Sequence, residues 1–66
     1  MQLGVKSWRR AKEISQSEMA DKLGVHVGTY QNWEKNPQNI SIENAVKIAD
    51  IFGVSIDDIS FTAQED

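Results

Sequence analysis

Apolar residues recur every three or four positions along most of this chain, which is the spacing of one buried helix face. The pattern predicts five helical segments and no strands, and therefore an all-α fold. The first segment covers about residues 3–13 and has Val5 and Trp8 on its apolar face. The fourth segment repeats the same spacing from Ile42 to Phe52.

The stretch from Ser15 to Glu34 predicts two short helices joined by a tight turn. Ser15 and Glu18 have the spacing of a capping box, which begins the first of these helices. Gly24 can supply the left-handed backbone that ends it. The next helix should run from about Val27 to Glu34. This unit is a helix-turn-helix, the shape that presents its second helix to the major groove of DNA.

The remaining chain follows the same rules of helix capping. Its predicted elements are a loop at residues 35–39, a fourth helix between Ser41 and Gly53, a short fifth helix opened by Ser55, and a tail at residues 61–66. A serine oxygen can accept the first free N–H groups of a helix, so Ser41 and Ser55 are interpreted as caps. The tail is polar and acidic and is expected to fray, which leaves residues 1–60 as one folded domain.

Composition limits the class of protein. A chain of 66 residues allows one domain at most, and such a chain buries only about 60% of its unfolded surface. It contains no cysteine, so no disulfide can stabilise it, and no metal or cofactor site is expected. No apolar run approaches the roughly 20 residues of a membrane span, and no signal peptide is evident. We therefore expect a soluble, cytoplasmic protein.

The charge is unevenly distributed. The formal net charge is −3, whereas a nucleic-acid-binding domain is expected to be basic. Residues 1–40 carry a net +2, and residues 41–66 carry a net −5. The helix-turn-helix therefore lies in the mildly basic half, and the acidic half can face away from phosphate. Because the chain has few cationic side chains, we expect weak long-range attraction to DNA and a shallow dependence of affinity on salt.

The order and spacing of these features resemble the phage-repressor and Cro type of helix-turn-helix domain, also called XRE-like. The resemblance covers about residues 5–59 and is carried by Arg9, Ser15-Gln16, Met19-Ala20, Leu23-Gly24-Val25, Trp33-Glu34, Ile48-Ala49 and Phe52-Gly53-Val54-Ser55. It implies a compact five-helix bundle. It also implies a sequence-specific DNA-binding regulator, often dimeric.

By the same resemblance, nine residues are candidates for contact with double-stranded DNA: Gln16, His26, Val27, Gly28, Thr29, Tyr30, Gln31, Asn32 and Lys35. Gln16 begins the second helix, where an amide and backbone N–H groups can hold a phosphate. The amides of Gln31 and Asn32 can donate and accept at once, which suits the N6/N7 edge of adenine, and Val27 can pack on a thymine methyl. The alternative is an ordinary solvated glutamine and an exposed polar helix face.

The third helix departs from the family's usual recognition helix at three residues. Gly28 has no side chain to contact a base and costs roughly 1 kcal/mol of helix propensity relative to alanine. Tyr30 replaces a β-branched aliphatic residue, so its ring must pack between helices, and its hydroxyl is expected to reach solvent or a phosphate. His26 replaces the usual serine or threonine cap. These differences leave the strength and the sequence preference of DNA binding open.

Two further features are interpreted as architectural. Arg9 and Glu34 match positions that pair in this family, and a bidentate ion pair between them would join the first helix to the third. The alternative for Arg9 is a contact with phosphate. Trp8 and Trp33 occupy helical apolar positions, which favours a place in the core over a role as stacking platforms for bases.

These features are consistent with two functions. The first is a transcriptional regulator, specifically a repressor, that binds a palindromic operator as a homodimer. Dimerisation would use the C-terminal half, where Ile56, Ile59 and Phe61 offer apolar surface unless they close the core. The second keeps the fold but makes a protein the main partner, as in an antitoxin-like domain. No enzyme and no small-molecule substrate are predicted, because His26 is the single histidine and no phosphate loop or triad can be assembled.

Overall fold

The computed structural model describes residues 2–62, which form four α-helices, two short 3-10 turns and one pair of two-residue strands. In chain order these elements are β1 (Leu3–Gly4), α1 (Val5–Ala11), α2 (Gln16–Leu23), α3 (Val27–Lys35), a 3-10 turn (Pro37–Asn39), α4 (Ile42–Phe52), a second 3-10 turn (Ile56–Asp58) and β2 (Ile59–Ser60). The predominantly helical architecture is confirmed.

The ends of α2 and α4 lie where local capping chemistry places them. The Oγ atom of Ser15 accepts the backbone N–H of Glu18 at 3.0 Å, and the Oγ of Ser41 accepts an N–H in the first turn of α4 at 3.2 Å. Both helices end at a glycine with φ of +70°, which are Gly24 and Gly53. Side-chain oxygens at the start and left-handed glycines at the end therefore set the two helix lengths.

The prediction of five helices and no strands is wrong. The segment expected to be a fifth helix makes only a 3-10 turn at Ile56–Asp58, and the chain then becomes extended. It pairs in parallel with the N-terminal segment, with Leu3 opposite Ile59 and Gly4 opposite Ser60. Backbone hydrogen bonding is thus satisfied between the two ends of the described chain, and α1 begins at Val5 because the preceding residues are in the strand.

The core lies between the helices and the strand pair. Its buried members are Val5, Met19, Ala20, Leu23, Tyr30, Ile48, Ala49, Phe52 and Ile59. Trp8 and Trp33 are partly buried against this cluster, and the indole Nε1 of Trp8 donates to the Asp58 carbonyl at 2.8 Å. Among residues 2–62, every helix is too short or too polar to span a membrane.

The apolar residues near the C-terminal end differ in exposure. Ile59 is buried at 3% exposure and Phe61 packs against the core, so these two help to close it. Ile59 is therefore not available for the expected dimer contact. Ile56 remains 39% exposed. Of the predicted tail, residues 63–66 lie outside the described part of the chain.

Candidate nucleic-acid interface

The tight turn between α2 and α3 fixes how the two helices cross. The Gly24 N–H donates to Asp21 O at 3.1 Å, and the Val25 N–H donates to Ala20 O at 3.0 Å. These bonds satisfy the last carbonyls of α2 and redirect the chain after it. Ala20 is 3% exposed, so its small side chain lies inside the contact between the helices. One face of α3 consequently packs on the domain while the other faces outward.

The outward face of α3 carries most of the predicted DNA-contacting residues. Seven of the nine candidates are exposed: His26, Val27, Gly28, Thr29, Gln31, Asn32 and Lys35. Val27 and Gln31 are four residues apart, as are Gly28 and Asn32, so these four share one side of the helix. His26 occupies the N-cap position of α3 without a side-chain cap hydrogen bond. The exposed face is thus polar, with a single partly exposed apolar side chain at Val27.

Tyr30 does not take part in this face. Its side chain has 0% exposure, and its hydroxyl donates to the Oε2 of Glu34 at 2.6 Å. The expectation that the hydroxyl reaches solvent or a phosphate is therefore wrong. Tyr30 and Glu34 are four residues apart on one helix, so this spacing was the signal available in the sequence. A buried phenol needs a partner, and the carboxylate one turn away supplies it.

The buried side of α3 carries an ion pair with α1. The Nε of Arg9 lies 2.6 Å from the Oε2 of Glu34, and the Nη2 of Arg9 lies 3.5 Å from Oε1. The Nη1 of Arg9 also donates to the carbonyl of Ile14 at 2.9 Å. The side chains of Arg9 and Glu34 are 12% and 4% exposed, so the pair is largely shielded from water. The guanidinium is occupied by protein groups rather than offered to phosphate.

Gln16 connects this buried group to the exposed face. Its Nε2 donates to the Oε1 of Glu34 at 2.9 Å, and its Oε1 accepts from the Nε2 of Gln31 at 3.1 Å. A carboxylate can only accept, so Glu34 determines which end of the Gln16 amide points toward Gln31. Gln31 in turn presents its Oε1 away from Gln16. Gln16 and Gln31 were predicted to contact DNA separately. In the structure their side-chain amides are hydrogen-bonded to each other.

The shared carboxylate has a shifted pKa. Burial alone would raise the pKa of Glu34, but hydrogen bonds from Arg9, Tyr30 and Gln16 outweigh it and hold the pKa below its ordinary value of 4.5. Burial, followed by the neighbouring Glu34 carboxylate, raises the pKa of Tyr30 well above its ordinary value of 10.0. Glu34 therefore remains a carboxylate and Tyr30 remains a hydrogen-bond donor throughout the physiological range.

Asn36, just after the end of α3, makes a contact that the sequence did not predict. Its Nδ2 lies 3.1 Å from the Oδ1 of Asn32 and 3.5 Å from the Asn32 carbonyl oxygen. Its backbone N–H also donates to that carbonyl, at 2.8 Å. Two asparagines four residues apart at a helix end were the available signal.

Charge is sparse on this side of the molecule. The charged residues of α3 are Glu34, which is paired with Arg9, and Lys35, which is exposed. The rest of the surface from α3 into the following 3-10 turn is rich in amides. Among residues 2–62, no group of three potential ligand side chains is arranged to hold a metal ion. The site is suited to hydrogen bonding more than to long-range attraction.

Two helices crossing at a left-handed glycine, with an exposed polar face on the second, define a helix-turn-helix domain. A family model described as helix-turn-helix matches residues 5–59. The chain belongs to this helix-turn-helix family, which confirms the resemblance to XRE-like domains. No solved structure was found to match the chain.

Curated relatives carry names that agree with this membership. The chain is 37% identical over 51 residues to the cryptic phage CTXphi transcriptional repressor RstR of Vibrio cholerae, covering 77% of this chain but 46% of RstR. It thus spans less than half of that relative. It is 40% identical over 55 residues to an uncharacterised HTH-type transcriptional regulator of Methanocaldococcus jannaschii, covering 83% of each protein. A further uncharacterised HTH-type regulator, of Archaeoglobus fulgidus, is 33% identical over all 66 residues, which are 93% of its length.

Proposed function

We propose that this chain is a DNA-binding transcriptional regulator that inserts α3 into the major groove. The observation that carries this proposal is the split of α3 into a buried, fully bonded side and an exposed polar side. Base recognition requires side chains that reach outward from a rigid element. The names of the relatives, a transcriptional repressor and two HTH-type regulators, support the same function.

The proposed contacts follow from where each side chain lies. Gln31 and Asn32 are exposed amides that can bond base edges, and Val27 is 40% exposed and can pack on a thymine methyl. Gln16 retains one Nε2 hydrogen after bonding Glu34, and with the N-terminal N–H groups of α2 it can hold a phosphate. Lys35 supplies a phosphate contact without sequence preference.

The proposed regulator acts as a homodimer on a palindromic operator, where bound dimers would block transcription. Its C-terminal half offers an apolar surface on α4, where Ile42 is 82% and Val46 is 55% exposed. The adjacent Glu43 and Lys47 form a loose ion pair at 3.7 Å. If two α4 helices pair antiparallel, Glu43 of one copy lies beside Lys47 of the other, so the surface is complementary to itself.

The DNA-binding proposal is tested by fluorescence anisotropy with a pool of random duplexes. We expect binding that weakens as salt is raised from about 50 mM to about 200 mM, with a shallow slope because few cations face the DNA. Absence of binding at the lower salt concentration would overturn the proposal. It would favour instead a protein partner docked on the same fold, in keeping with the net charge of −3.

A further inference from the structure

The Asn36 amide directs its donor end at Asn32. Its Nδ2 lies 3.5 Å from the carbonyl oxygen of Asn32, a group that can only accept hydrogen bonds. Turning the amide over would replace this long contact by an unfavourable approach of two acceptor oxygens. The same Nδ2 lies 3.1 Å from the side-chain Oδ1 of Asn32. The donor end of Asn36 is therefore directed at Asn32.

This contact fixes the Asn32 amide in turn. Its Oδ1 points toward Asn36, so its Nδ2 is directed away, and among residues 2–62 no hydrogen bond from that Nδ2 is found. Asn32 is exposed on the outer face of α3. The neighbouring Gln31 has the opposite polarity, since its Nε2 is bonded to Gln16 and its Oε1 is left outward. Two adjacent amides thus present opposite ends to the surface.

We propose that Asn36 is a specificity-determining residue, which acts by holding Asn32 with its amide donor outward. This inference rests on the proposed function and names the bases it favours. A donor pairs with the O6 and N7 of guanine, the N7 of adenine or the O4 of thymine, whereas cytosine presents only its N4 amine, which is itself a donor. Asn36 is a positioning residue in this scheme, because it acts on the bases through Asn32.

The test uses the full chain and duplexes selected by it from a random library. Comparison of wild type with Asn32→Ala locates the base that Asn32 contacts. At that base we expect guanine, adenine or thymine to be favoured about tenfold over cytosine in wild type. In Asn36→Ala the Asn32 amide is free to turn, so this preference falls to about twofold or less with nonspecific affinity retained. Asn36→Asp can only accept from Asn32, which shifts the preference toward cytosine.

The matched control is Asn39→Ala, the same change one turn of chain away at an exposed residue. It should retain the wild-type preference. If Asn36→Ala and Asn36→Asp also retain it, the inference is overturned while DNA binding by the chain stands. If no duplex is selected by wild type, the proposed function fails as well.

A measurement on the free chain tests the orientation without DNA. The Nδ2 protons of Asn36 should exchange with solvent more slowly than those of Asn39 in side-chain amide NMR spectra. Equal exchange rates would contradict the fixed orientation of Asn36, whatever the chain binds.

Discussion

The two sides of α3 differ in how many partners their polar groups have. On the inner side, the Tyr30 hydroxyl and both oxygens of Glu34 are bonded within the domain, and Arg9 completes the group. On the outer side, Gln31 and Asn32 are exposed, and each makes a single side-chain bond that orients it. The inner side holds the helix in place, and the outer side carries the residues proposed to contact DNA. The same nine-residue helix therefore has one side bonded within the domain and another side with exposed polar groups.

The largest effect is expected at the ion pair of the inner side. Glu34→Leu leaves the shielded Arg9 guanidinium without its carboxylate and should reduce the free energy of unfolding by about 3 kcal/mol. The double variant Arg9→Met/Glu34→Leu should lose less than the sum of the two single changes, with a coupling energy of about 1 kcal/mol or more. Urea unfolding followed by circular dichroism measures the cycle, with a stabilising osmolyte added if the single variants are marginal. If the losses of the two single variants add up to that of the double variant, Arg9 and Glu34 do not stabilise each other.

A second prediction concerns the pH dependence of the same group. Because the pKa of Glu34 is lower in the folded chain than its ordinary value of 4.5, the stability it contributes is complete above that value. That stability is lost as the pH falls through the lower folded pKa. Between about pH 5 and pH 3, wild type should lose more of its free energy of unfolding than Arg9→Met/Glu34→Leu, which keeps every other carboxylate. Parallel pH profiles of the two proteins would contradict the assigned shift.

Smaller effects, of opposite sign, are expected when alanine replaces the two glycines on either side of the start of α3. Gly24 has φ of +70°, so Gly24→Ala should lower the free energy of unfolding by about 1 kcal/mol. Gly28 lies within α3, and an added Cβ would meet no atom within 4 Å beyond its chain neighbours and the adjoining backbone of its own helix. Gly28→Ala should therefore raise stability by up to about 1 kcal/mol. Thermal unfolding of both variants checks the contrast. Destabilisation by Gly28→Ala would contradict the open space found around this residue on the outer side of α3.

Local chemistry made much of the fold predictable. Ser15, Gly24, Ser41 and Gly53 act on their own neighbours in sequence, so the limits of α2 and α4 could be inferred from them. The strand pair could not be inferred, because two-residue strands have no periodicity and Leu3 meets Ile59 only once the chain has folded. The 3-10 turn at Ile56–Asp58 also begins with a serine cap, and a cap does not reveal how long the following helix is.

The candidate site was predictable in its location but not in its bonding. The exposed residues of α3 follow from helical periodicity and the resemblance. The link between Gln16 and Gln31 depends on how closely α2 crosses α3, which no local pattern encodes. The hydroxyl of Tyr30 is a different case, because Glu34 lies one turn away on the same helix and its spacing was available in the sequence. Polar partners on different helices are decided by the tertiary contact, whereas helix ends are decided by their own residues.

The outer side of α3 is proposed to distinguish DNA sequences. The ratio of affinities for a selected duplex and for the same duplex scrambled tests this proposal when it is measured for wild type and Gln31→Ala/Asn32→Ala. The control Asp21→Ala/Lys22→Ala removes two exposed side chains from α2 without changing net charge. We expect the ratio to fall toward one in the α3 variant alone, with affinity for the scrambled duplex retained. An unchanged ratio in the α3 variant would contradict it.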